Sequence, residues 1–306
     1  DRIMTESPRG WGVVPSTGIP TVAFGNQKGG TGKTTATINS AAALATRGHE
    51  VLAIDMDPQA DMTKGLGLGP GDDNDPSSPK NDLPNTLATD DANLLDVLVD
   101  NPRTKDTTLS EIMIHSDEYE HLNFDLVPSH KDMGLARDWM DDAGARLSLK
   151  VALKELVDDG YDYDYILIDC PPDLSVLTDA AFIAAQNVFL AAQTQATSRD
   201  ALDDLWDQLE SIENNQQIEI AIVGLLANMY RDDGQSKKFL EAFDESFASL
   251  APIFKLPMRV AIQRAWDNGC DIFEWEDAND QQVERDLFLE IAETMERAFD
   301  KTQVEV

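Results

Sequence analysis

Short apolar runs alternate along the chain with longer segments whose apolar residues recur every three or four positions. "IPTVAFGNQ" (19–27), "EVLAID" (50–55), "LNFDLVPS" (122–129) and "YDYILIDCPPD" (163–173) have the β-branched, compact character of strands. So do "NVFLAAQ" (187–193), "IEIAIVGLLANMY" (218–230) and "PIFKLPM" (252–258). Between them, "KTTATINSAAALATRG" (33–48), "LLDVLVD" (94–100), "RLSLKVALKELVDD" (146–159) and "RDALDDLWDQLESI" (199–212) carry helical spacing, the first stopped by Gly48. A closing helix is predicted from about Val283 to Phe299. This alternation predicts an α/β fold, a mostly parallel twisted sheet with helices on both faces, in a single domain. The domain is placed at 19–306 after a lead segment 1–18, and residues 69–93, rich in Pro, Gly, Asp, Asn and Ser, form an acidic surface loop.

Charge changes the picture of the surroundings. With 57 acidic against 24 basic residues the formal net charge is −33, yet 42% hydrophobic content supports a core and apolar periodicity persists between the acids. A high-salt cytoplasm accounts for such a surface, because at ~1 M salt the Debye length falls to ~3 Å and self-repulsion is screened. No run approaches the ~20 apolar residues that span a bilayer, and the start of the chain lacks a signal-peptide core, so a cytoplasmic location is expected. Cys170 and Cys270 lie far apart and make neither metal-ligand spacing nor a disulfide framework.

Chemistry concentrates at "GNQKGGTGKTT", residues 25–35, in the turn between the first strand and the first helix. Gly29, Gly30 and Gly32 can take backbone angles closed to other residues and present N–H groups to an anion, while the helix start adds orphan donors and a positive dipole end. Lys33 would reach the β- and γ-phosphates and the Thr34 hydroxyl would ligate Mg²⁺, as in G-x-x-x-x-G-K-[ST]. The usual spacing wants glycine at 27, where Gln27 stands, so the loop is a variant. The nucleotide-binding set is Lys28, Gly29, Gly30, Thr31, Gly32, Lys33, Thr34 and Thr35. Asp169, closing the strand "ILID", is placed as the Mg²⁺ partner, directly or through water. Of Asp55 and Asp57 in "DMD", only one is expected to face the γ-phosphate. Asp57 is assigned the role of orienting the attacking water, with a possible water-mediated hold on the metal.

"KGGTGKTT", "DMDPQ" and "IDCPP" together resemble the ParA/MinD family of deviant-Walker P-loop ATPases, and the layout over about residues 20–300 is most similar to the Soj-type ParA partition ATPases. The resemblance implies a P-loop NTPase fold, ATP and Mg²⁺ as cofactors, and an ATP-dependent homodimer. It also gives the extra lysine, Lys28, a use: reaching the phosphates of the partner's ATP, as a catalytic residue beside Lys33 and Asp57. Asn228 and Pro257 match family positions near the adenine, and "CPPDLSVLTDAA" matches the segment that senses the γ-phosphate.

The same resemblance implies non-specific DNA binding, stimulation by a ParB-like centromere-binding or other activating protein, nucleoid association, and positioning or segregation of plasmid or chromosome DNA. The basic residues are displaced from the Soj-type pattern, leaving Arg231, Lys237, Lys238, Arg259 and Arg264 as candidates. A MinD-like membrane target needs a basic amphipathic C-terminal helix. Here Val283, Leu287, Ile291 and Met295 form a stripe opposed by Glu284, Asp286, Glu290, Glu293 and Glu296, so the stripe is read as core packing and no membrane partner is expected. A protein complex is the alternative target. An iron–sulfur reductase shares the glycine loop, but Cys170 directly follows Asp169 and no cysteine lies where that class needs one.

Overall fold

The computed structural model describes residues 12–68, 92–99, 107–140, 144–194, 198–231, 233–247, 250–258, 260–276 and 281–300. Residues 69–91 of the acidic loop, residues 1–11 and Arg259 lie outside this set. Among the described residues seven strands form one sheet: β1 Thr21–Gly25, β2 Val51–Asp55, β3 Asp125–Val127, β4 Tyr165–Asp169, β5 Asn187–Gln193, β6 Ala221–Tyr230 and β7 Ile253–Pro257. Their order is β3-β2-β4-β1-β5-β6-β7, and every neighbouring pair is parallel. An isolated antiparallel bridge joins Ile114 to Leu126.

The helices before β4 are α1 Lys33–Thr46, α2 Asp61–Gly65, α3 Leu94–Leu98, α4 Leu109–Ile112, α5 Ala136–Trp139 and α6 Ser148–Asp158. After it come α7 Val176–Ala185, α8 Ser198–Gln216, α9 Gly234–Phe247, α10 Val260–Asp267 and α11 Gln282–Phe299. Side chains on a strand alternate between faces, and here each face has its own core. Leu52 and Ile54 of β2 with Ile166 and Ile168 of β4 meet α6, α7 and α8 through Leu149, Leu153, Phe182, Leu205 and Leu209. Val51, Ala53, Tyr165 and Leu167 face the other way, into a cluster with α1 and α11 that includes Leu44, Phe288, Ile291 and Met295. Strands covered on both sides need no polar face, so their sequences are nearly continuous apolar runs.

The closing helix packs as core, with two changes to its expected faces: Val283 leaves the apolar stripe, and Glu284, placed on the acidic side, is fully buried. Phe288, Ile291, Ala292 and Met295 are buried, whereas Val283 is 41% exposed. A strict four-residue spacing drifts around a 3.6-residue helix, so its first member has rotated off the buried face. On the acidic side, Glu296 receives the Arg47 Nε–H at 2.8 Å and lies 2.8 Å from His49 Nε2, tying the end of α1 to α11. No helix among the described residues is long and apolar enough to cross a membrane. Residues 12–13 of the lead segment join the domain: Asn187 exchanges two 2.7 Å hydrogen bonds with the Val13 backbone, and Gly12 N–H donates to Ala298 O at 2.9 Å.

A parallel sheet delivers the loops after every strand to one edge. The loop after β1, the turn after β2 and the segment after β4 therefore meet at the carboxyl ends of three adjacent strands.

Candidate active site

β1 ends at Gly25 and α1 begins at Lys33, so residues 26–32 form the connecting loop. Gly32 stands at the helix N-cap with φ 95°, and a Cβ there would lie 2.0 Å from Asn228 Nδ2, so both backbone and space require glycine. No side chain caps α1, which leaves its first N–H groups for a ligand. Three side-chain amides, one from the loop and two from β5 and β6, tie the loop to these strands. Asn26 Nδ2 donates to Ala191 O at 2.5 Å, Gln193 Nε2 to Gly30 O at 2.6 Å, and Asn228 Nδ2 to Thr31 O at 2.9 Å. Asn26 and Gln193 were not among the sequence candidates; their position at the ends of apolar strands is the one signal that marks them. Lys33 is buried, with Nζ 3.5 Å from the Lys28 carbonyl oxygen, and Thr31 Oγ1 is buried with no hydrogen-bond partner.

The acids come from β4, beside β1, and from β2, the next strand out. Asp55 and Asp169 are register partners on β2 and β4, both fully buried. Burial, then the Asp55 charge, raise the Asp169 carboxyl well above its ordinary value, against the Thr34 hydroxyl and the Lys33 charge. Thr37 Oγ1 approaches Asp169 Oδ1 at 3.5 Å, while Asp169 Oδ2 is buried without a partner. Asp55 is committed elsewhere: it accepts from Thr63 N–H at 2.9 Å, Thr63 Oγ1 at 2.7 Å and Asp57 N–H at 3.1 Å, while burial pushes its carboxyl up to about 7. Asp55 thus builds the turn, and Asp57 lines the cleft. Residues two apart on a strand share a face, so the separation arises because β2 ends at Asp55 and the chain turns. Asp57 Oδ1 accepts from Gln59 N–H at 2.9 Å; burial raises this carboxyl, and the nearby Lys33 charge opposes the rise.

The donor set fits a magnesium ion. Mg²⁺ is held by one or two carboxylates together with substrate phosphates rather than by an all-protein cage. An unpartnered carboxylate oxygen on Asp169 beside the Thr34 hydroxyl is that kind of partial site.

The loop and Asp57 open on a cleft of about 520 Å³ that runs from Gly29–Thr35 to Asn228, Pro257 and α10, with Asp169 buried beside it. The Asn228 amide is in use at both ends, with Nδ2 on Thr31 O and Oδ1 accepting from Met229 N–H at 2.7 Å. Each end keeps one further donor or lone pair for a base edge. Arg231 is exposed after β6, its guanidinium 3.0 Å from the sulfur of Met258, which lines the cleft. Lys237 and Lys238 are exposed on α9, and Arg264 is exposed on α10. Cys170 is buried, its thiol pushed up by burial and then by Asp169, and Cys270 is half-buried.

The chain is similar to known proteins. The family model described as "AAA domain" matches residues 19–222. A chromosome-partitioning ATPase Soj from Treponema pallidum is 31% identical over 211 residues, 69% of this chain and 71% of that protein. The chromosome partitioning protein ParA of Caulobacter vibrioides is 32% identical over 68% of this chain and 69% of its own length. Among solved structures, a Cyanothece McdA–ATP complex superposes with a TM-score of 0.71 over 92% of this chain and 96% of that one; at 20% identity this likeness concerns the fold.

Proposed function

The chain belongs to the ParA/MinD superfamily of P-loop ATPases, and from that premise we propose that it is an ATP-dependent dimerisation switch that binds DNA non-specifically and positions or segregates plasmid or chromosome DNA. The observation that carries the proposal is that Lys33 and Asp57 line one cleft while Asp169 is buried against Thr34 and within reach of the Lys33 charge, its Oδ2 unpartnered. Lys33 and the helix start would bind the phosphates. Thr34 and Asp169, with Asp57 through water, would hold Mg²⁺, which supplies charge neutralisation on the phosphates. Asp57, held by the Gln59 N–H, would orient the attacking water. Lys28 would complete the site of a second copy, so that ATP becomes part of the dimer contact and hydrolysis dissolves it. A ParB-like or other activating protein would set the hydrolysis rate.

The DNA face would draw on Arg231, Lys237, Lys238 and Arg264, which follow β6 and β7 at the sheet edge that carries the cleft, and on Arg259. A net charge of −33 favours a second reading, in which the target is a protein complex, because phosphate contacts weaken steeply with salt and with like charge on the binder. Co-sedimentation of the Asp57→Ala protein with unrelated DNA at ~2 M KCl, with ATP or ADP, decides between them. Retention with ATP alone is expected. Absence of retention while ATP-dependent dimerisation persists would move the target from DNA to a protein.

A further inference from the structure

Part of the cleft lining comes from β7 and α10, and among the described lining residues Trp266 is the sole aromatic. Its indole stands over Gly65, the last residue of α2. A Cβ on Gly65 would lie 2.6 to 2.8 Å from Cζ3, Cε3 and Cη2 of the ring. Gly65 is not among the positive-φ glycines, so backbone conformation does not call for glycine there. Space for the indole does. The exit of α10 is fixed by a second close glycine contact: Gly269, whose φ of 69° itself favours glycine, donates its N–H to Trp266 O at 2.9 Å, and a Cβ on it would come within 2.9 Å of Gly67 Cα just after α2. Two close glycine contacts therefore hold α10 on α2 and set where the indole stands.

Leu256, Pro257, Met258 and Ile262 give this wall an apolar patch beside the indole, edged by Gln263 and Asp267 of α10. A triphosphate has no use for such a wall, whereas a flat base does. We infer that Trp266 is the base-recognising residue of this cleft, stacking on a purine, and that Gly65 carries no side chain so that the indole can be seated. The inference rests on the nucleotide reading given above, and it names the part of the ligand that this chain's own α10 selects.

Calorimetric titration of the full chain with Mg·ATP and, separately, with Mg·tripolyphosphate isolates the base. Aromatic stacking on a base is worth enough that Trp266→Ala should weaken ATP roughly 10-fold. Tripolyphosphate affinity should not change. Trp266→Phe, which keeps a ring in place and guards against a folding defect, should stay within about 3-fold of the parent for both ligands. Gly65→Ala, which drives the indole off its seat, should weaken ATP and spare tripolyphosphate. Unchanged ATP affinity in Trp266→Ala, or an equal loss of both ligands in Trp266→Ala and Trp266→Phe, would overturn the assignment. A Lys33→Ala protein that still binds both ligands would instead remove the nucleotide reading itself, and the inference with it.

Discussion

Lys28 and Lys33 lie five positions apart in one loop and have different surroundings. Lys33 is buried against the Lys28 carbonyl, as a phosphate ligand at a helix start would be, while the Lys28 side chain is only partly buried. In the proposed function Lys28 acts on the nucleotide of a second copy. Lys28→Ala should therefore keep ATP binding yet lower turnover roughly 100-fold, the scale of removing one charge-stabilising donor. ATPase rates and nucleotide titration on the same preparation would check this, and wild-type turnover would return Lys28 to the role of a solvated loop residue. Most of the site is legible in the sequence at this scale, because "GKTT", "DMD" and "IDCPP" place charge at strand ends. The clamps are not. Asn26 and Gln193 do their work through backbone carbonyls of residues 165 and 163 positions away, a relation that only the folded sheet reveals.

Elements differ in how clearly their sequences mark them. α11 and α8 show one apolar face and are predicted within a few residues. α7, "VLTDAAFIAA", is buried along almost its whole length, so it carries no amphipathic period and goes unassigned in a reading by periodicity. α10 has one fully buried residue, Ala265, and α2 is a single turn, so neither announces itself, although both shape the cleft. β3 is the shortest strand, and a charge cluster holds it in place. Asp125 accepts from Ser116 N–H at 2.8 Å and Tyr163 Oη–H at 2.7 Å, and His115 Nδ1 lies 3.0 Å away. Burial alone would raise this carboxyl, but those hydrogen bonds outweigh it and hold the value below the ordinary range. A lowered folded value stabilises the native state above the ordinary carboxylate range, and the contribution is lost as pH falls through the folded value. Asp125→Ala should thus cost about 1–3 kcal/mol at neutral pH, the scale of losing hydrogen bonds to a charged group. The gap from wild type should narrow toward pH ~3 as the native carboxylate is protonated. Denaturant midpoints at the two pH values measure this, and a gap independent of pH would mean that packing, not charge, is what Asp125 supplies.

At the scale of the whole molecule, the sheet order brings three strand ends to one edge while the surface carries a net charge of −33. The sheet and its amphipathic helices are readable because the alternation of apolar runs is set by burial on both faces, independent of what the surface carries. Surface charge of this density should make stability depend on salt. The unfolding temperature should rise by more than ~10 °C between ~0.1 and ~2 M KCl as the Debye length contracts from ~10 Å to below ~3 Å. A flat thermal scan would show that the acids are already compensated in the fold and would leave the high-salt expectation without support.

The account as a whole depends on ATP governing the association state. Sedimentation velocity of the Asp57→Ala protein in Mg·ATP and in Mg·ADP, at ~2 M KCl to screen self-repulsion, tests that directly. A dimer with ATP and a monomer with ADP is the predicted result. One association state in both nucleotides, whether monomer or dimer, would contradict it.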